Sequence, residues 1–193
     1  AHTADDQAET VLLHLFRGTG TRGLAGFYPE LEGKVVRPFL SLRREEIEAE
    51  IGARKLDARI DSSNLDIRFR RNKLRIELLP LLRKEYSPEI VTLLTELADR
   101  SREDEEVLEQ LARERAHPWR VREGRQEKIP ARPLVEFPPA IARRVLRQMV
   151  LVARGNLRGI SHQHIRALHR LAAQGQSGKG LELPGVRARK EFG

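Results

Sequence analysis

Residues 1–10 read Ala-His-Thr-Ala-Asp-Asp-Gln-Ala-Glu-Thr, and residues 17–20 read Arg-Gly-Thr-Gly. Between them Val11, Leu12, Leu15 and Phe16 recur at helical spacing, which predicts an amphipathic helix over 5–16. Asp5 and Asp6 fall in its first turn, where carboxylates meet unpaired N–H groups and the positive end of the helix dipole. Arg17 closes the helix and Gly18 stands where a left-handed C-terminal residue belongs. Ordinary capping accounts for the acids taken alone. The whole string, with His2, Gln7, Glu9, Thr10 and a glycine-rich turn behind an arginine, suits half of a nucleotide site. Paired carboxylates there could hold Mg²⁺ beside phosphates, because Mg²⁺ prefers hard oxygen ligands shared with substrate.

Working outward, Gly18, Gly20, Gly23 and Gly26 predict a flexible loop, and Val35–Leu40 a short strand that Pro38 ends or confines to an edge. Ser41 is a candidate N-cap for a helix reaching about Leu56. Residues 57–66 read as loop. Leu74, Leu78, Leu81 and Leu82 predict a helix over 67–84, kinked at Pro80. Ser87-Pro88 starts another helix, or two abutting ones, ending before His117-Pro118-Trp119. Residues 119–139, rich in proline, read as an irregular connection. Helices follow over 140–153 and 161–173, then a glycine-rich hinge and a small β element from Leu181. Strand signals lie only in the first part and at the extreme end. The expected fold class is therefore α/β for residues 1–85, mainly α-helical for 86–175, and the start of a further β-containing element over 176–193.

Composition bounds the partners. The 193 residues carry a formal net charge of +8, with 39% hydrophobic and 33% charged side chains, so polyanions are natural ligands. No acid occurs between Phe137 and Leu181, yet Arg143, Arg144, Arg147, Arg154, Arg158, Arg166 and Arg170 do. Arg68, Arg70, Arg71, Lys73 and Arg75 form a second run. Arginine suits bidentate phosphate contact and stacking on bases. The absence of cysteine excludes disulfides and thiolate metal sites within these residues and is compatible with a reducing compartment. No run approaches the ~20 apolar residues of a membrane-spanning helix. The expectation is a cytoplasmic protein that binds RNA or another polyanion, with no membrane partner; its oligomeric state leaves no readable signal. Three histidines, His162, His164 and His169, lack a cysteine to complete a zinc set and read as helix-surface groups.

Three pieces in order then resemble the tRNA(Ile)-lysidine synthase family of PP-loop ATP pyrophosphatases. They are His2–Thr10 with Arg17-Gly18-Thr19-Gly20 and Gly23-Leu24; Arg37-Pro38-Phe39-Leu40 with Arg44, Glu46 and Ile47; and Asp61–Asp66 with Arg71-Asn72-Lys73-Leu74-Arg75 and Leu78-Leu79-Pro80. The resemblance extends more loosely to Leu183-Pro184-Gly185. It implies the C-terminal half of a Rossmann-like PP-loop domain followed by a helical tRNA-binding domain. It also implies ATP and Mg²⁺ as cofactors, free L-lysine as co-substrate, and a tRNA(Ile) with a CAU anticodon, whose wobble cytidine is adenylated and then joined to lysine. By the same resemblance Asp5, Asp6, Arg71 and Arg75 are the catalytic candidates, with Mg²⁺ on Asp5 and Asp6. His2, Thr10, Arg17, Gly18, Gly20, Asn64 and Asn72 are the candidates for ATP or substrate. Arg68, Arg70, Arg143, Arg144, Arg147, Arg158 and Arg166 are the candidates for tRNA.

The family's Ser-Gly-Gly-x-Asp-Ser phosphate loop occurs nowhere in these 193 residues. Thr3 stands where many relatives have a second histidine, and Ala58-Arg59 lacks a tryptophan common there. The chain is therefore expected to be an N-terminally truncated fragment that does not act on ATP by itself. Two other readings stay open: a non-catalytic RNA-binding module with a recognition helix near Gly159–Arg166, and another PP-loop tRNA-modifying or amidating enzyme. The module reading gains if Asp5 and Asp6 lie far from Arg71 and Arg75.

Overall fold

The computed structural model describes residues 2–31, 33–57, 66–124 and 126–191. Its chain forms two compact units, Ala1–Glu105 and Glu106–Gly193.

The first unit is built on α1 (Ala4–Leu15). Thr3 caps it: the Asp6 N–H donates to Thr3 Oγ1 at 3.3 Å, and the Thr3 N–H donates back to Asp6 Oδ2 at 2.9 Å. This reciprocal pairing satisfies two otherwise orphaned donors. Ala4, Ala8, Val11 and Leu12 bury against Leu74 and Leu79 and against Val91, Leu94 and Ala98 of α6 (Ile90–Ala116). Inside the expected flexible loop lies a short α2 (Thr21–Leu24), because Gly20 at its N-cap and the left-handed Gly26 (φ +57°) turn the chain back toward α1. The expected strand over 35–40 is only Val35–Val36 (β2), antiparallel to Glu30–Leu31 (β1). Past Val36 the chain turns, and the Arg37 N–H is taken by Pro29 O. α3 spans Arg44–Ala53 and starts two residues later than Ser41 would cap it.

The helix expected over 67–84 has three parts: α4 (Arg70–Lys73), a π-helical segment Leu74–Leu78, and α5 (Leu79–Glu85). Pro80 lacks an N–H and its ring collides with the carbonyl four residues back. The wide turn just upstream relieves that conflict, and the Leu79 N–H reaches five residues back to Leu74 O.

In the second unit, residues 119–139 are more ordered than their prolines suggest. Val121–Glu123 (β3) and Gln126–Lys128 (β4) form an antiparallel hairpin, and α7 spans Ala131–Glu136. α8 (Pro139–Arg154) ends on the left-handed Gly155, and α9 (His162–Gln174) is capped by Ser161, whose Oγ accepts the His164 N–H. Gly180–Leu183 (β5) pairs with Val186–Arg189 (β6). Leu134, Ile141, Val145, Leu146, Val150, Ile165, Leu168 and Leu183 form one core.

The units differ from the limits drawn on the sequence. The first extends past 85 because Val91, Leu94 and Ala98 bury with α1. The last hairpin joins the helical core through Leu183 rather than opening a separate element. Among the described residues every strand belongs to one of three antiparallel two-stranded hairpins, so they form no parallel sheet. Among them, too, no helix is long and apolar enough to cross a membrane.

Candidate active site

On α1, Asp6 and Glu9 are three residues apart and so share a face. Arg71 and Arg75, four apart on α4 and the π-helical segment, face them across the groove between the two elements. Asp6 Oδ1 accepts from the Nη2 atoms of Arg44, Arg71 and Arg75, each at 3.2 Å. Glu9 Oε2 accepts from Arg71 Nε at 2.7 Å and Arg75 Nη2 at 3.0 Å, and its Oε1 from Arg75 Nε at 2.6 Å. Glu9 has no exposed side-chain surface, whereas Arg75, Arg44 and Arg71 keep 24%, 30% and 36% of theirs. The carboxylates thus lie beneath and the guanidiniums reach solvent. Three cations against two anions leave one positive charge in excess at the mouth.

Burial alone would raise the Asp6 pKa. Two hydrogen bonds from Thr3, with Arg44 and Arg71 alongside, outweigh it and hold the carboxyl below the usual carboxylate range. The hydrogen bond to Glu9 raises the pKa of Arg75. Both shifts favour the charged forms of Asp6 and Arg75.

An aromatic group flanks this cluster. The Phe27 ring lies 4.1 Å from the His2 ring, with Arg37 and Arg71 over it at 5.2 and 5.8 Å. Burial and then Arg37 lower the His2 pKa, so its imidazole is neutral. Gln7, 2% exposed, holds Phe27 in place: its Oε1 accepts the Phe27 N–H at 2.7 Å, and its Nε2 donates to Phe27 O at 3.2 Å and Ala25 O at 3.3 Å.

The other expected residues take the following places. Asp5 is a helix cap: its Oδ2 accepts the Arg44 N–H at 2.7 Å and fixes the start of α3. Asp6 carries five donors on its two oxygens. Asp6 thus has both oxygens occupied by protein donors, whereas Asp5 Oδ2 also takes Arg43 Nε at 3.4 Å and its Oδ1 has, among the described residues, only Arg83 nearby, at 4.0 Å. Thr10 is buried, and its hydroxyl bonds back to Asp6 O at 2.8 Å. Asn72 is buried too, its amide donating to Asp66 O at 2.9 Å, which braces the chain entering α4. Arg17, Gly18 and Gly20 lie beyond the other end of α1; eleven residues at 1.5 Å per residue put Arg17 ~16 Å from Asp6 along the helix axis. Asn64 lies outside the described residues. Arg68 is held by Asp66 at 2.7 Å but is 89% exposed, and Arg70 is exposed. In the second unit Arg158 and Arg166 are exposed and Arg143 and Arg147 half-buried, whereas Arg144 folds back on Ala140 O of its own helix.

Two members of the cluster, Glu9 and Arg44, appear in the sequence motifs but were given no role from them. Glu9 was legible as a helical neighbour of Asp6, but acids in a first helical turn are common. Arg44 has no local signal, because a fold 38 residues long brings it to Asp6.

Known proteins match along the same lines. A PP-loop domain family model matches residues 1–82, and a TilS substrate binding domain model matches residues 130–191. A tRNA(Ile)-lysidine synthase from Solibacter usitatus is 36% identical over 99% of the chain, one from Geobacter sulfurreducens 39% over 95%, and one from Leifsonia xyli 36% over 100%. Along nearly its whole length the chain is thus similar to tRNA(Ile)-lysidine synthases, and two family models match it in tandem. It spans 43%, 39% and 58% of the lengths of those three relatives. The first unit holds all of the PP-loop match and the second all of the substrate-binding match. The Asp6–Glu9–Arg44–Arg71–Arg75 cluster is drawn wholly from the PP-loop match.

Proposed function

We propose that this chain supplies the C-terminal part of an α/β PP-loop domain and a tRNA-binding unit to an enzyme that makes lysidine. That enzyme would act in the cytoplasm. It would adenylate the wobble cytidine of tRNA(Ile) with a CAU anticodon at the expense of ATP, and the amine of free L-lysine would then displace AMP. The observation that carries this reading is the excess of one partly exposed guanidinium over two buried carboxylates. Adenylation transfers AMP to an oxygen and releases pyrophosphate, so negative charge builds on phosphate oxygens. Arg71 and Arg75, oriented from beneath by Glu9 and Asp6, are placed to meet that charge without reorganising. Phe27, gripped by Gln7, packs beneath the Arg71 guanidinium and limits its motion. Neutral His2 adds no charge at the mouth. The exposed Arg158 and Arg166, with the half-buried Arg143 and Arg147, suit the phosphates of a tRNA body. The two compact units, Ala1–Glu105 and Glu106–Gly193, would be the corresponding functional halves.

The test joins this chain to the segment of a curated relative that bears the Ser-Gly-Gly-x-Asp-Ser loop. ATP-dependent incorporation of labelled lysine into a tRNA(Ile) CAU transcript is then measured. The fusion should incorporate lysine, the chain alone should not, and R71A or R75A in the fusion should lower the rate ~100-fold or more, the scale of losing one preorganised charge donor. Undiminished turnover in both variants refutes the role given to the cluster. Lysine incorporation by the 193-residue chain alone refutes the need for the loop.

A further inference from the structure

The first unit has a second concavity, of about 360 Å³, that the cluster above does not use. Its floor is Leu13, Leu74, Leu78 and Leu81, and its wall is the ring of Phe16 at the C-terminus of α1. Phe16 is 65% exposed, unusual for an unpartnered aromatic beside a leucine floor. Arg17, Arg70 and Lys73 line it together with one carboxylate, Glu77, so its charged groups are three cations and one anion. Lys73 is 3.7 Å from Glu77, but neither Arg17 nor Arg70 has an ion-pair or hydrogen-bond partner for its guanidinium among the described residues.

We propose that this concavity is a subsite for one unpaired nucleotide of an RNA strand, the base stacking on Phe16 and the flanking phosphates meeting Arg17 and Arg70. The volume falls within the ~300–1,000 Å³ range of small-molecule sites, enough for a single base. An exposed aromatic face between cations is the combination single-stranded nucleic acid uses, since every base has a π-face and every linkage a charge. The two unpaired guanidiniums favour a polyanion over an apolar peptide, which would bury them without compensation. Arg68, 89% exposed and two residues from Arg70, continues the cationic track along the strand. The inference rests on the RNA-directed reading of the chain only for the class of partner; the subsite itself rests on the cavity and its rim.

The test uses the full 193-residue chain. Its one tryptophan, Trp119, allows a W119F/F16W variant whose only indole stands in the subsite. Titration with dodecauridylate should quench that emission, whereas inorganic polyphosphate, with charge but no bases, should compete for binding without quenching. UMP should quench only far more weakly, because it lacks the flanking linkages. In parallel, F16A in the otherwise native chain should weaken dodecauridylate binding five- to a hundred-fold with unchanged circular dichroism, the range expected for loss of one base–aromatic stack. R17A and R70A should each reduce the salt slope of binding by about 0.7. Tight RNA binding with neither quenching nor an F16A effect overturns the subsite and leaves the RNA reading standing. Failure to bind RNA at all overturns both. Quenching by polyphosphate equal to that by RNA, or a blue shift on phosphatidylglycerol vesicles that RNA does not displace, also overturns the subsite.

Discussion

Replacing Glu9 with glutamine removes one negative charge from a place without solvent. In the native cluster Glu9 accepts three hydrogen bonds from Arg71 and Arg75, at 2.6–3.0 Å. The amide keeps the shape but turns an NH₂ toward guanidinium donors, and three arginines then face Asp6 alone. At an effective dielectric of about 20, each charge pair some 4 Å apart is worth about 4 kcal/mol before desolvation. Breaking a fully buried pair costs about 3–5 kcal/mol in practice. Because the arginines keep a quarter to a third of their surface in water, screening brings the expected loss to about 2–4 kcal/mol. Urea denaturation followed by circular dichroism and tyrosine emission measures it, since Tyr28 and Tyr86 both lie in the first unit and the sole tryptophan lies in the second. A double-mutant cycle with R75Q isolates the pairwise part, which should exceed about 1 kcal/mol. If E9Q costs less than about 1 kcal/mol and the cycle shows no coupling, Glu9 does not organise the arginines, and the preorganisation argued for phosphate charge fails with it.

Three further outcomes follow from the same geometry. Gly26→Ala would set a methyl 2.6 Å from Gln7 Oε1 at a φ of +57°, so it should destabilise the first unit by about 1–3 kcal/mol, read as a lowered melting temperature. Asp6 has a depressed folded pKa, so its stabilisation is complete above the ordinary carboxylate pKa of about 4 and is lost as pH falls through the lower folded value. An acid titration of stability should therefore show a steeper fall below about pH 4 for the native chain than for D6N. Leu134→Ala, at a site 2% exposed in the second core, should cost about 2–5 kcal/mol and shift the Trp119 fluorescence transition.

Helix periodicity, the caps at Ser161 and the proline at 80 were legible because each acts within a turn or two of its own position. Arg71 and Arg75 were singled out from their basic run only by the resemblance to a family. The roles of Asp5 and Thr10 were not legible. A carboxylate in a first turn looks alike whether it binds a metal, caps its own helix or, as Asp5 does, caps another helix 39 residues away. Thr10 reads as polar and available, yet its hydroxyl turns back to Asp6 O inside α1. The hairpin at 121–128 stayed hidden among prolines because its strands are three residues each, too short for alternation to register.

The sequence by itself determined the order of the helices, the cationic character of the chain and the family to which its motifs point, all local or additive properties. Only the tertiary structure brought Asp6 and Glu9 against three arginines. Which charges meet depends on contacts 38 to 69 residues apart, and on burial that concentrates three guanidiniums around two carboxylates while water still reaches the cations.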